Sequence, residues 1–155
     1  MIRKFMLQRK ISATALVLLV LTAVSSLAAG AQFIQLKIRG QVIHAEVAAT
    51  PAARSRGFTG RTLLARDQAM LFVFPEPQPV TIWMVDTPQP LVVAFIDAAG
   101  RIFNIVEMQP MTDTRHASNG LAQYALEMEH GWFGAHQVHI GDRVDGLGAA
   151  GQAFE

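Results

Sequence analysis

Apolar and polar residues alternate along the chain after the first thirty or so positions. Ile34, Leu36 and Ile38 lie on one side and Gln35, Lys37 and Arg39 on the other, the period of two of a half-buried strand. Gly40 turns the chain, and "QVIHAEVA" alternates again with Ile43, Ala45 and Val47 inward, so the pair predicts a hairpin. In "TPAARSRG" the period changes. Thr50 is placed to cap a short helix, Pro51 suits its first position because a missing N–H costs nothing there, and Gly57 suits its end. A second helical or turn segment is expected through "RTLLARD". "AMLFVF" and "VTIWM" read as two strands, with "PEPQP" between them a stiff loop unfit for a central strand.

"LVVAFID" is apolar on both faces up to Asp97 and belongs in the middle of the structure. Ala98-Ala99-Gly100 turns it into "RIFNIVEM", and "QPMTDTRHASNG" reads as a polar, mobile loop. In "LAQYALEMEH", Tyr124, Leu126 and Met128 alternate with Ala125, Glu127 and Glu129, which favours a strand. "GWFGAHQVHIGDRV" supplies a turn or short helix and a closing strand, and the Gly-rich end "DGLGAAGQAFE" reads as a flexible terminus, its tail taken as 147–155. Seven or more short strands and one or two short helices predict a mainly β single domain over 32–146, a compact β-sandwich or barrel-like fold.

The first 31 residues follow a different pattern. Arg3, Lys4, Arg9 and Lys10 precede an apolar run, strongest from Ala15 to Val24, that ends in Ala29-Gly30-Ala31. This is the design of a cleaved signal peptide. An uncleaved inner-membrane anchor is the alternative, although the strongest apolar part is about half the ~20 residues of a spanning helix. The expectation is an exported protein of the periplasm or cell envelope, touching membrane only through this segment. Without the leader, nine bases face twelve acids, a net charge of −3, and Lys37 is the one lysine. That leaves nucleic acid no electrostatic footprint. With no cysteine, disulfides, thiolate zinc sites, a cysteine nucleophile and a lipoprotein anchor are excluded. About 124 residues suffice for one core.

Several motifs occur in a fixed order: Arg54-x-x-Gly57-x-x-x-Arg61, "MLFVF", "WM" with Thr87, "P-L---FID--G-I", "Y-LE---G" and "GD-V". In this order they resemble the prokaryotic family known as domain of unknown function 192, from about Val47 to Val144. The resemblance implies a small, mainly β fold, often exported or membrane-anchored, and no established activity. The chain departs from the family pattern at Phe58-Thr59, where Leu-Met is usual, and at Ala69, where glycine is usual. It departs again at Val85-Asp86, where Lys-Asn is usual, and at Val92, where aspartate is usual. Chemistry that needed the family's lysine and aspartate is therefore not available here.

The first candidate site is "WMVDT". Trp83 supplies an aromatic surface with one N–H, Met84 a soft thioether, and Asp86 and Thr87 polar groups at a strand end. They read either as the floor and rim of a pocket or as a core tryptophan followed by a turn. Arg54 and Arg61 either pin the helix over the sheet through Asp86 or Asp97, or offer a fork to a carboxylate ligand. The second candidate is a metal or acid–base cluster of His136, His139, Glu127 and Glu129. It lacks an HExxH signature, and on a strand the two histidines would face opposite sides. No phosphate-cradling glycine loop or nucleophile elbow occurs, so no cofactor is implied. The functional expectation is a binding or interaction module for an unknown small ligand or envelope protein. The alternatives are a hydrolytic enzyme using the His/Glu cluster and a structural partner docking through Trp132-Phe133.

Overall fold

The computed structural model describes residues 31–61 and 68–154. Its strands are β1 (Phe33–Ile38), β2 (Gln41–Ala48), β3 (Gln68–Ile82), β4 (Leu91–Ile96), β5 (Ile102–Met108), β6 (His116–Glu129) and β7 (Val144–Asp145). They form one sheet in the order β5-β4-β6-β3-β2-β1-β7. All neighbours run antiparallel except β2 and β3, which are parallel. The connection that allows a parallel pair carries helix α1 (Pro51–Arg56). The sheet curls until its two ends meet: Arg101 bridges Arg143, and the Ile102 and Val144 amides donate to the Asp142 and Gly100 carbonyls. Of the two architectures expected, the barrel-like one forms, as a half-barrel.

The curl gives the sheet an inside and an outside, and strand alternation assigns each residue to one of them. Inside lie Leu36, Ile38, Ile43, Leu71, Val92, Ile96, Leu126 and Met128, all buried. Helix α2 (Trp132–Ala135) plugs this interior with Trp132 and Phe133, whose rings meet edge to face at 5.5 Å. The patch expected to dock a partner is therefore core. Outside lie Phe72, Val93, Phe95, Met108 and Ala125, covered by Phe58 and Met84 from irregular segments. β4 has both faces packed and is buried at every position, as its unbroken apolar run required.

Helix α1 forms as its signals predict. Thr50 accepts the Ala53 amide at 3.1 Å, Pro51 opens the helix, and Gly57 closes it at φ 46°. The region 62–67, including most of the second helical or turn segment, lies outside the described residues, as does the leader up to residue 30.

Three expectations are corrected. "PEPQP" does not separate two strands but lies within β3. Its pairing with β6 jumps from Val73↔Tyr124 to Gln78↔Ala122, so the intervening residues bulge outward. β2 pairs with β3 only as far as Phe72, and among the described strands the second half of β3 has β6 alone beside it. Val80 donates its N–H toward β6, to Ser118 Oγ at 3.0 Å, so by alternation Pro79 has its nitrogen on the side away from β6. The polar loop is also shorter than expected, because "HASNG" opens β6 and a second bulge absorbs its polar residues. There Asn119 takes φ 58° and Ser118 Oγ donates to the Gly120 carbonyl at 2.6 Å.

The C-terminal stretch is not a loose tail. Leu147–Ala150 forms a 3-10 turn with Leu147 and Ala150 buried, and the Phe154 amide donates to the Ala49 carbonyl. Gly146, at φ 93°, enters the turn so close to β1 that a Cβ would sit 2.6 Å from the Gln35 carbonyl oxygen. No other residue fits there.

Candidate functional site

The outer face of the sheet is only partly covered. Between it and the α1–Phe58 segment a cleft of about 290 Å³ remains, at the small end of the range for ligand pockets. Its walls are Phe58, Phe72, Phe74 and Trp83, with Gln78, Thr81 and Thr87 supplying polar atoms. Glu127 lies among the lining residues on the sheet itself, with only 4% of the residue accessible.

Strand register explains how an acid comes to be there. Glu127 pairs with Met70 on one side and Val93 on the other, and Met70 in turn pairs with Glu46. Two buried carboxyls thus occupy one row of the outer face, about 10 Å apart by two strand spacings. They are treated differently. Glu46 receives both terminal nitrogens of Arg61, at 2.6 and 3.0 Å, and those hydrogen bonds hold its carboxyl below the usual range. Among the described residues, the Glu127 side chain makes no hydrogen bond or ion pair. Burial alone pushes its carboxyl up to about 8, so at neutral pH it keeps its proton.

Of the residues expected at the site, Trp83, Thr87 and Arg54 line the cleft. Trp83 follows the end of β3 and stands at the rim, 49% exposed, with the Arg115 guanidinium 5.2 Å from its ring. The floor expected of it is the sheet carrying Glu127. Thr87 is buried in the covering turn, where its amide donates to the Met84 carbonyl. Arg54 donates to the carbonyls of Ala49, Val73 and Phe154 at 2.9–3.1 Å. It pins the helix as one reading proposed, but through backbone carbonyls and not through Asp86 or Asp97.

The other three lie off the cleft. Met84 is 1% exposed and packs in the outer core. Asp86 sits at φ 55° in an exposed turn, its carbonyl accepting the Gly60 amide. Arg61 is taken up by Glu46. Asp97 satisfies its own turn, accepting the Ala99 and Arg101 amides.

The His/Glu cluster is dispersed. His136 stacks on Trp132 at 4.2 Å and its Nδ1 lies 2.8 Å from the Trp132 carbonyl oxygen. His139 is in an exposed turn, where its amide donates to Asp142. Glu129 is exposed at the end of β6, two residues from buried Glu127. Among the described residues no three His, Asp or Glu side chains are placed to hold a metal ion.

Sequence reasoning missed Phe58, Phe72 and Phe74 as walls and did not give Glu127 its place. One signal pointed to it: Glu127 interrupts "YALEME", a stretch otherwise apolar on both faces between Tyr124 and Met128. An acid in a strand buried on both sides cannot be solvated like an ordinary hairpin acid.

A family model, DUF192, described as Uncharacterized ACR, matches residues 34–146. Comparison with curated proteins gives no match. Among solved structures, the chain is similar to a candidate transcription regulator from Sinorhizobium meliloti. The two are 30% identical with a TM-score of 0.75, over 77% of this chain and 97% of that one. It is also similar to a protein of unknown function from Novosphingobium aromaticivorans, 28% identical with a TM-score of 0.72, over 76% and 88% of the two chains.

Proposed function

The chain belongs to the DUF192 family, and from that premise we propose that it is an exported small-ligand-binding module whose site is the cleft over the outer face of the sheet. One observation carries this reading: a buried carboxyl without a partner among the described residues lines an aromatic-walled hollow. Protein interiors rarely leave such a group unsatisfied. A ligand that completed its hydrogen bonding would account for both the acid and the space beside it. The net charge of −3 after the leader supports a small molecule over nucleic acid. Export is supported by the basic and apolar order of residues 1–31. In the native host the protein should be recovered from the periplasm or envelope about 31 residues shorter, and a full-length cytoplasmic product would refute export.

Binding is tested by thermal shift against sugars, amino acids, small acids, amines and peptides. A ligand at about 100 times its Kd adds roughly 2.7 kcal/mol of stability, a rise of several degrees in Tm. Trp83→Ala should remove that rise while leaving the unliganded Tm within about 2 °C, because the ring is half exposed. A silent screen, or a shift that survives the substitution, would defeat the assignment. A second reading has one observation behind it: a carboxyl that stays protonated near neutral pH suits a general acid. Turnover of a bound compound, lost in Glu127→Gln, would favour that reading.

A further inference from the structure

We propose that the cleft selects small organic cations, alkylammonium ions of a few carbons, with Glu127 as the counter-charge and the four aromatic rings as walls. This rests on the ligand-binding reading above and adds the ligand's chemical class. Three features of the cleft point the same way. Among the described lining residues the one acid is Glu127, buried and without a partner among the described residues, and a buried carboxylate is best compensated by a cation that also donates hydrogen bonds. The walls are faces that attract cations, and three of them already do so toward protein. Arg61 lies 5.5 Å from Phe58, Arg54 5.7 Å from Phe74, and Arg115 5.2 Å from Trp83.

The third feature is that Arg54, the part-buried arginine of the lining, is not free to hold an anion. Arg54 is committed to three backbone carbonyls, and Arg56 is exposed at the end of α1. An anionic ligand would leave Glu127 protonated and gain no counter-charge from it, whereas an ammonium ion favours the ionised carboxylate and pairs with it. The volume of about 290 Å³ limits the guest to a handful of heavy atoms.

Charge balance gives the proposal a signature. The free cleft holds Glu127 as a neutral acid near pH 6.5, because burial raises its carboxyl to about 8. An entering ammonium ion pairs with the carboxylate, and the displaced proton passes to the buffer, about one per ligand. Other charged groups surround this position. They are Arg54 and Arg56 on α1, Glu46 with Arg61 beyond Met70, Glu129 two residues along β6, and Asp86 in the covering turn. β4 contributes none. Among the described residues none of these is paired with Glu127, so its proton is the one that cation binding moves.

The experiment is isothermal titration of the folded protein at about pH 6.5 with n-butylammonium, n-butanol and n-butyrate, each in two buffers of different ionisation enthalpy. Butylammonium should bind at least about ten-fold more tightly than its alcohol or acid isostere and release about one proton. Its affinity in the wild-type protein should rise close to ten-fold per pH unit between about pH 5.5 and 7.5, and that of butanol should stay flat. Glu127→Gln should abolish both the proton release and the preference for the amine. If butanol or butyrate binds as well as the amine, the cation assignment is overturned and the cleft stands as a site of another selectivity. The assignment is equally overturned by amine binding that releases no proton. If none of the three binds and the broad screen is also silent, the ligand-binding reading fails with it.

Discussion

The two faces of the curled sheet have been built on different terms. The inner face is closed by the curl and by α2, and its buried side chains are apolar throughout, from Leu36 and Ile43 to Trp132 and Phe133. The outer face is richer in Phe and Met, with Phe58, Phe72, Phe95, Met70, Met84 and Met108, and it carries the buried acids Glu46 and Glu127 in one row. Regular strands enclose the first, and turns cover the second. Regular alternation fills a space completely, and covering turns need adaptable side chains and still leave a hollow. The inner face holds the fold together, and the outer face has room for something else.

Within the outer face the sharpest contrast is between the two acids, and perturbing each tests it. The larger effect is expected at Glu127. Its carboxyl is raised in the folded state, so its contribution to stability is full below the unfolded value near 4.5 and is lost as pH rises through about 8. Glu127→Gln, which cannot ionise, should lose no stability there. In urea melts the variant should gain on the wild type by on the order of 3 kcal/mol between about pH 5.5 and 9. A constant difference across that range would mean that Glu127 is ionised and satisfied.

A smaller effect is expected at Glu46, where the sign is reversed. Its carboxyl is held low by Arg61, so this contribution is present above the unfolded value and fades as pH falls through the folded one. Arg61→Ala leaves Glu46 buried without its cation and should lose about 2 kcal/mol at neutral pH, less than a fully buried pair because Arg61 is 35% exposed. The deficit should narrow below about pH 4, once the carboxyl is protonated. A deficit independent of pH would show that Arg61 matters through its packing on Phe58 and not through Glu46.

Much of this architecture could be read from the chain because period and punctuation are local. The hairpin of β1 and β2, the Thr50–Gly57 helix and the fully buried β4 follow from residues within a few positions of one another. What could not be read depends on distant partners. The prolines at 75, 77 and 79 rule out a central strand, yet β3 keeps them because β2 stops beside Phe72, a boundary that no residue near the prolines announces. Trp132-Phe133 reads as an exposed patch until the sheet's curl places it in the plug. The site shows the same division. Trp83, Thr87 and Arg54 belong to local motifs and reach the cleft, while Arg61 is diverted by Glu46 fifteen positions away. Glu127 acquires its place only through its neighbours on β3 and β4.

The half of β3 that has β6 alone beside it among the described strands has a consequence for the protein at high concentration. A bare strand flank ordinarily invites a stranger's backbone to dock and extend the sheet, the first step toward aggregates. Here Pro79 removes a donor from that flank, and the bulge bends the chain away from straightness. A second molecule finds few amides to zip against along this flank.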